Sequence, residues 1–262
     1  MAEKVVVITG ASAGIGAALA ERLTGQGQSV VLVARRKAAL DEVAARCAGR
    51  AHVIVADAGR RADVKRVVDE TLARFGRLDV WVNNAGQGIS RMPSQLTDED
   101  VDEMIRQNVK SALYGMQVVL PHFQSRGRGH IINVSSMLGR VPFATQRSAY
   151  SAAKHALNAL TASLRMDLRR THPDIHVSTV SPGVVATEFG VKALGGGVDS
   201  RRIPGAQTVE EVAEVLLDVV RRPRADVYTR PGMREMVARY FAAEDMAEVE
   251  ATLTPPAPSG AS

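Results

Sequence analysis

Tyr150 and Lys154 stand four residues apart, a spacing that brings both side chains to one face of a helix about one turn from each other. A tyrosine hydroxyl ionises at about pH 10 in water, so a lone phenol is a poor acid or base near neutrality. A fixed ammonium beside it stabilises the phenolate by up to about 4 kcal/mol at roughly 4 Å and an effective dielectric of about 20, before screening and relaxation. On that arithmetic Lys154 is expected to draw Tyr150 toward working pH and make the pair a proton donor and acceptor. The spacing alone is common, and surface pairing on a helix is its ordinary explanation, so the context has to decide. The preceding strand-like run Ile131-Ile132-Asn133-Val134 ends at Ser135 and Ser136, delivering a hydroxyl to the carboxyl edge of a sheet, where ligands of open α/β folds bind.

A second chemical feature lies at the other end of the chain. The first apolar run stops at Thr9-Gly10-Ala11-Ser12-Ala13-Gly14-Ile15-Gly16, and helical periodicity starts within it. Glycines permit conformations and close approaches that a Cβ forbids, and free amides at a helix start favour a phosphate. A pyrophosphate-bearing cofactor fits such a turn. Gly10, Gly14 and Gly16 also satisfy the purely structural need of a tight turn, and their spacing departs from G-x-G-x-x-G. The second strand is an independent test, because its carboxyl end lies beside the adenosine ribose in this kind of fold. Val30-Val31-Leu32-Val33-Ala34 runs into Arg35 and Arg36 rather than an acid. Two guanidinium groups suit a 2′-phosphate and point to NADP(H) over NAD; two surface arginines closing a strand is the alternative.

The elements that must position these groups alternate short β-rich runs with Ala- and Leu-rich helical segments, the pattern of a parallel sheet between helices. The expected strands are Val5–Thr9, Val30–Ala34, His52–Ala56, Val80–Asn83, His130–Val134, His176–Ser181 and Asp226–Thr229. Leu157, Leu160, Leu164 and Leu168 form one stripe on the helix that carries Tyr150. Thr208 with Glu211 reads as a capping box for a helix ending near Pro223, and Thr97 as the cap of the helix that carries Asn108. The Gly-rich stretch from Gly190 to Gly205 follows a strand end and is expected to be a lid or binding loop. The fold class is therefore α/β: a single doubly wound Rossmann-type domain with a seven-stranded parallel sheet and helices on both faces. Residues 1–251 make the dinucleotide-binding and catalytic domain, and 252–262 a disordered Pro- and Ala-rich tail.

With these motifs assembled, the sequence resembles the short-chain dehydrogenase/reductase family over about Lys4 to Thr187. The likeness rests on Thr-Gly-x-x-x-Gly-x-Gly from Thr9 to Gly16, Asn83-Asn84-Ala85-Gly86, Asn108, Ser136, Tyr150 with Lys154, and Pro182-Gly183. It implies that Tyr150 is the general acid in reduction and the base in oxidation. It also implies that Ser136 holds the substrate oxygen, with Ser135 as the alternative, and that Lys154 grips the nicotinamide ribose. Asn108 would anchor a water linking Lys154 to solvent, or serve structure alone. Gly10, Ser12, Gly14, Ile15 and Gly16 would hold the pyrophosphate, and Asp57 and Ala58 would meet the adenine. Asn84, Ala85 and Gly86 would support cofactor and central strand, while Val185 and Thr187 would meet the nicotinamide carboxamide, with Pro182 and Gly183 also bordering the cofactor. Asn83 and Asn84 could also be simple turn residues. Three features depart from the family pattern. Ala13 stands where some NADP-preferring relatives carry a base, the Ser136–Tyr150 interval is one residue longer than in many relatives, and Asp226-Val227-Tyr228-Thr229 replaces a Gly-rich strand end.

The composition agrees with such a chain: 262 residues, 45% apolar, 23% charged and 4% aromatic. The +5 charge is spread over short Arg groups without interleaved aromatics, which argues against nucleic acid. No apolar stretch is long enough for a signal peptide or a membrane span. Lone Cys47 points to helix packing and a cytoplasmic setting, and the six histidines show no metal-ligand cluster. The expected reaction is metal-free hydride transfer between the nicotinamide and a small carbonyl or alcohol substrate. Met137, Leu138, Phe143 and Phe189 would line a mostly apolar pocket. Family members pair through the helices containing Asn108 and Tyr150, which implies a homodimer or homotetramer. The alternative is a non-catalytic NADP(H)-binding regulator, whose expected sign, loss of the catalytic groups, is absent here.

Overall fold

The two-residue alternation of β1 (Val5–Thr9) decides how the molecule is layered. Val6 and Ile8 face one apolar layer while Val5 and Val7 face the other, and all four are buried. A strand covered on both sides needs continuous apolar sequence, and this one has it. In the computed structural model, which describes residues 3–253, β1 lies in a seven-stranded sheet. Its companions are β2 (Ser29–Ala34), β3 (Ala51–Val55), β4 (Val80–Asn83), β5 (Gly129–Val134), β6 (Ile175–Ser181) and β7 (Asp226–Tyr228). Every pairing is parallel and the order is β3-β2-β1-β4-β5-β6-β7. The order reverses between β1 and β4, which opens a crevice at their carboxyl ends. All seven expected strands are present; β1 and β4 have the expected ends and the others differ by one residue at one or both ends, as at β3, which starts at Ala51 rather than His52.

Helices cover both faces. On the Val6/Ile8 side lie α1 (Gly14–Gly25), α2 (Lys37–Ala45) and α7 (Val209–Arg221), with Leu19, Leu23, Leu40, Leu216 and Cys47 in the shared core. On the Val5/Val7 side lie α3 (Arg61–Phe75), α5 (Ser111–Arg126) and α6 (Ser148–Thr171). The leucine stripe of α6 packs there, Leu168 fully within the core and Leu160 and Leu164 against it. Both expected helix starts carry complete capping boxes, Thr208 with Glu211 on α7, and Thr97 with Asp100 on α4 (Asp98–Ile105). α7 stops at Arg221, short of Pro223.

Two findings differ from the sequence reading. Asn108 is not in a regular α-helix, because a π-turn at Arg106–Lys110 joins α4 to α5. The wider turn rotates one extra residue inward, a deformation often met at functional sites. At the other end, α8 (Met233–Ala242) and α9 (Met246–Leu253) follow the sheet, so Thr252 and Leu253 close a helix rather than begin a tail. The rest of that expected tail lies outside the described residues.

A buried polar chain fixes the sheet to α6. Trp81 Nε1 donates to Asn83 Oδ1 at 2.7 Å, Asn83 Nδ2 to Asn133 Oδ1 at 2.8 Å, and Asn133 Nδ2 to Thr161 Oγ1 at 2.8 Å. Asn83 is thus a core residue of β4, and the link holds α6 at a set height over β4 and β5.

Candidate active site

Thr9, the last residue of β1, organises the crevice. Its hydroxyl donates to the Val82 carbonyl at 3.3 Å and accepts the amides of Asn84 and Ala85, both at 3.1 Å. Asn84 returns two bonds from Nδ2, to the carbonyls of Thr9 (3.1 Å) and Gly10 (3.2 Å). The turns after β1 and β4 are thereby laced together, and glycine is needed for that closeness. A Cβ on Gly10, whose φ is +68°, would stand 2.8 Å from Ala85 Cα, and one on Gly16 would stand 2.6 Å from Asn84 Nδ2. Gly10 and Gly16 therefore serve packing.

Gly14 is different. It opens α1 at φ +57°, and what faces it is the Thr187 methyl at 3.3 Å, across the crevice. The first turn of α1 has no side-chain cap and no acid, so its amides are free to receive an anion. Ile15 packs on the core beneath. Ser12 Oγ accepts from Arg36 Nη2 at 3.4 Å. Arg35 and Arg36 are exposed at the end of β2, and among the described residues neither forms an ion pair. The expected phosphate cradle and its two cations are thus brought to one mouth, which fits the phosphates of a dinucleotide.

Asp57 and Ala58 follow β3, but Asp57 has protein partners of its own. Its Oδ1 accepts from Gly59 N at 2.9 Å, and its Oδ2 pairs with Arg106 at 3.2 Å. On the far side, the Pro182 carbonyl accepts from Met137 N at 2.8 Å. A Cβ on Gly183 would run into Met233, and Val185 bridges to Gln207. The segment after Thr187 docks on the loop after β4: Ser90 N donates to Leu194 O at 2.7 Å and Leu194 N to Gly88 O at 2.9 Å. The Gly190–Gly205 stretch is therefore a strap seated over the site.

Beneath the strap, Tyr150 and Lys154 project from the first turns of α6, 8% and 4% exposed. Ser136, at the end of β5, lies near enough to the Tyr150 hydroxyl to lower its proton affinity, and its Oγ accepts from Leu138 N at 3.1 Å, while Ser135 Oγ has no protein partner. Lys154 Nζ donates to the Val134 carbonyl at 3.0 Å and lies 5.6 Å from the centre of the Tyr150 ring. Asn108 Nδ2 donates to Gln87 O at 2.9 Å and Met104 O at 3.1 Å, and its Oδ1 accepts from Gln87 N at 3.3 Å. Asn108 and Lys154 flank Gly86, where a Cβ would lie 2.8 Å from Asn108 Oδ1 and 3.6 Å from Lys154 Nζ.

The electrostatics correct one expectation. Lys154 does not by itself bring Tyr150 toward neutrality: burial pushes the phenol up to about 12, against the opposing Ser136 hydrogen bond and the Arg147 charge. Burial also pulls Lys154 down to about 8. Desolvation outweighs attraction because both groups are enclosed and the ammonium is turned to the Val134 carbonyl. The chain alone holds a neutral phenol next to an ammonium that survives below about pH 8.

A family model for short chain dehydrogenases matches residues 4–194. The chain is a member of the short-chain dehydrogenase family. It is 40% identical over 185 residues to an uncharacterised oxidoreductase of Staphylococcus epidermidis, covering 71% of this chain and 79% of that one. Among solved structures, a short-chain dehydrogenase/reductase of Burkholderia phymatum in complex with NAD superposes with a TM-score of 0.83 at 24% identity, over 99% of this chain and 98% of that one. A closed serine dehydrogenase complexed with NADP+ superposes at 0.79 and 28% identity, over 86% and 93%. This short-chain dehydrogenase is thus an oxidoreductase of a Rossmann-type nucleotide-binding fold whose neighbours hold NAD or NADP. Among its described residues no helix is long and apolar enough to cross a membrane.

Two residues of this dehydrogenase's crevice escaped the sequence reading. Thr9 was part of a motif, but its lacing role depends on β4 lying beside β1. Arg147 is the second: it lies three residues before Tyr150, and its charge acts on that phenol. The signal was there, a cation at helical spacing on each side of the tyrosine. Phe189 stands edge-on to Tyr150 with ring centres 5.4 Å apart, as an apolar wall requires, but Arg147 makes the surroundings less apolar than expected.

Proposed function

We propose that this chain is an NADP(H)-dependent oxidoreductase that interconverts a carbonyl and an alcohol by direct hydride transfer, with Tyr150 as general acid and base. The observation that carries the reading is the enclosed phenol, next to the Ser136 hydroxyl and followed one turn later by Lys154, at the carboxyl edge of the sheet. When bound, the dinucleotide supplies or accepts the hydride. The pyrophosphate would rest on the amides of Gly14, Ile15 and Gly16 beside Gly10 and Ser12, and the 2′-phosphate on Arg35 and Arg36. Asp57 and Ala58 would border the adenine, and Asn84, Ala85, Gly86, Pro182, Gly183, Val185 and Thr187 the nicotinamide end, with Tyr150 and Lys154 on its ribose.

In reduction, the substrate oxygen lies between Ser136 and Tyr150. Charge that develops on it is met by two hydroxyl donors that are themselves largely buried. A phenol held at about 12 arrives protonated and passes its proton to the nascent alkoxide. Lys154, an ammonium below about pH 8, offsets the phenolate left behind. Asn108 fixes the Gln87 backbone and so the Gly86 turn beside Lys154, a positioning role in this site. Lone Cys47, buried with its thiol pushed up by burial, accords with a cytoplasmic setting.

A panel of carbonyl compounds followed by NADPH oxidation tests the reading. Turnover is expected with NADPH over NADH, and Tyr150→Phe should abolish it while NADPH still quenches or enhances fluorescence on binding. A clear preference for NADH overturns the Arg35 and Arg36 assignment. Tight NADPH binding with no turnover of any carbonyl would instead favour a regulatory protein.

A further inference from the structure

Among the described residues, Arg147 is a half-buried cation with no carboxylate in ion-pair reach. Its Nη1 donates to the Ile89 carbonyl at 3.0 Å, and burial and the nearby Tyr150 are what bear on its charge. Arg77 and Arg126, also half-buried, share Asp79, and Arg106 has Asp57 and Glu103, whereas Arg165 and Arg230 bond only backbone carbonyls, away from the Tyr150 phenol. Arg147 is also at the N-terminal boundary of α6, where the helix dipole disfavours a cation. A charge kept in such a place without compensation marks a position held for something else.

Its surroundings say what that is. A Cβ on Gly88 would stand 2.9 Å from Arg147 Nη1 and 2.7 Å from Phe189. One on Gly197 would stand 3.0 Å from Arg147 Nη2 and 2.7 Å from Ser90 Oγ. The guanidinium is thus under the strap, between two glycines, with Phe189 and the Tyr150 phenol on its inner side. Ser90 Oγ, beside it, is a buried hydroxyl without a protein partner. An unpaired guanidinium fork and an unused hydroxyl, next to the proton donor and away from the glycine turn, make an oxyanion seat on the substrate side.

We propose that Arg147, assisted by Ser90, binds a carboxylate of the substrate, so that the preferred substrate is an oxo acid or hydroxy acid rather than a neutral carbonyl compound. This rests on the reductase reading above. The carboxylate neutralises a charge that the fold leaves unpaired and fixes the carbonyl against Tyr150 and Ser136. The strap supplies the roof, and Gly197 leaves room under it for both donors.

The test uses the NADPH-loaded enzyme and matched pairs: 3-oxobutanoate, 4-oxopentanoate and 5-oxohexanoate, each against its methyl ester. For at least one chain length the acid should exceed its ester in kcat/KM by ~10-fold or more, mainly through KM, as a charge-assisted pair gives. Arg147→Gln should bring that ratio to within about threefold by raising the acid's KM, and Arg147→Lys should restore part of it. A second measurement does not need turnover: with NADP+ bound, pentanoate should bind ~10-fold or more tighter than pentanamide, and Arg147→Gln should erase the difference. Esters turned over as well as acids, or a ratio unmoved in Arg147→Gln, overturns the proposal. Pentanoate binding no better than pentanamide overturns it too. Arg147-dependent pentanoate binding with none of the six compounds reduced upholds the carboxylate seat and sinks the reductase reading instead.

Discussion

At the scale of single residues, the site is governed by desolvation rather than by attraction. Burial raises Tyr150 to about 12 and lowers Lys154 to about 8, so the two groups are pushed toward their neutral forms. For Lys154 the consequence for stability has a definite sign. Between about pH 8 and its ordinary 10.5 the unfolded chain holds a proton that the folded chain has lost. Stability therefore rises with pH through that window, by up to about 1.4 kcal/mol per unit. Lys154→Met is expected to flatten this rise in denaturant melts at pH 8 to 10 while abolishing turnover; a slope equal to the parent's would contradict the buried ammonium. Tyr150→Phe should lower turnover by ~10²-fold or more with no loss of melting temperature, because a phenyl ring needs no partner in the same space.

At the scale of elements, the turn after β1 is where geometry is least forgiving. Gly10 combines a left-handed φ of +68° with backbone 2.8 Å from the position of a Cβ. Gly10→Ala is expected to cost about 2–4 kcal/mol and to spoil cofactor binding. Gly25→Ala, at the end of α1 with open space around it, should change stability by no more than about 1 kcal/mol and in the stabilising direction. Urea titrations followed by Trp81, the sole tryptophan and fully buried, compare the two directly. Equal effects would mean that the lacing of Gly10 to Ala85 does not bear on folding. The π-turn at Arg106–Lys110 belongs to this scale as well, since it turns Asn108 onto Gln87 where a regular helix would carry it past.

Across the whole molecule, a buried base sets the acid limit. His130 on β5 is enclosed, donates to or accepts from Ser178 Oγ at 2.8 Å, and is pushed down to about 3 by burial, with His176 and Lys4 adding repulsion. The unfolded chain protonates this side chain near 6.5 while the folded chain does not. Stability is thus intact above about pH 6.5 and falls by up to about 1.4 kcal/mol per unit toward pH 3. His130→Gln should flatten that acid slope in melting curves taken from pH 7 to 4; an unchanged slope would acquit His130. The homodimer or homotetramer that the family resemblance implies is tested by light scattering. Val101 on α4 and Met166 on α6, 42% and 66% exposed, lie on the helices implied in pairing, and a chain that stays monomeric at working concentration removes that expectation.

The sequence by itself determined what repeats locally: the seven strands from their apolar runs, the capping boxes at Thr97 and Thr208, and the Tyr150–Lys154 pair from its spacing of one helical turn. Those follow from period and chemistry within a few residues. The tertiary structure alone decided what depends on neighbours distant in the chain. Gly14 proved to face Thr187, Thr9 to lace β1 to β4, and Asn83 to enter a core chain with Asn133 and Thr161. It also decided which way the Tyr150 equilibrium leans, because desolvation depends on what encloses a group, and enclosure is a property of the packed molecule. For the same reason Arg147 was one arginine among many until the strap closed over it.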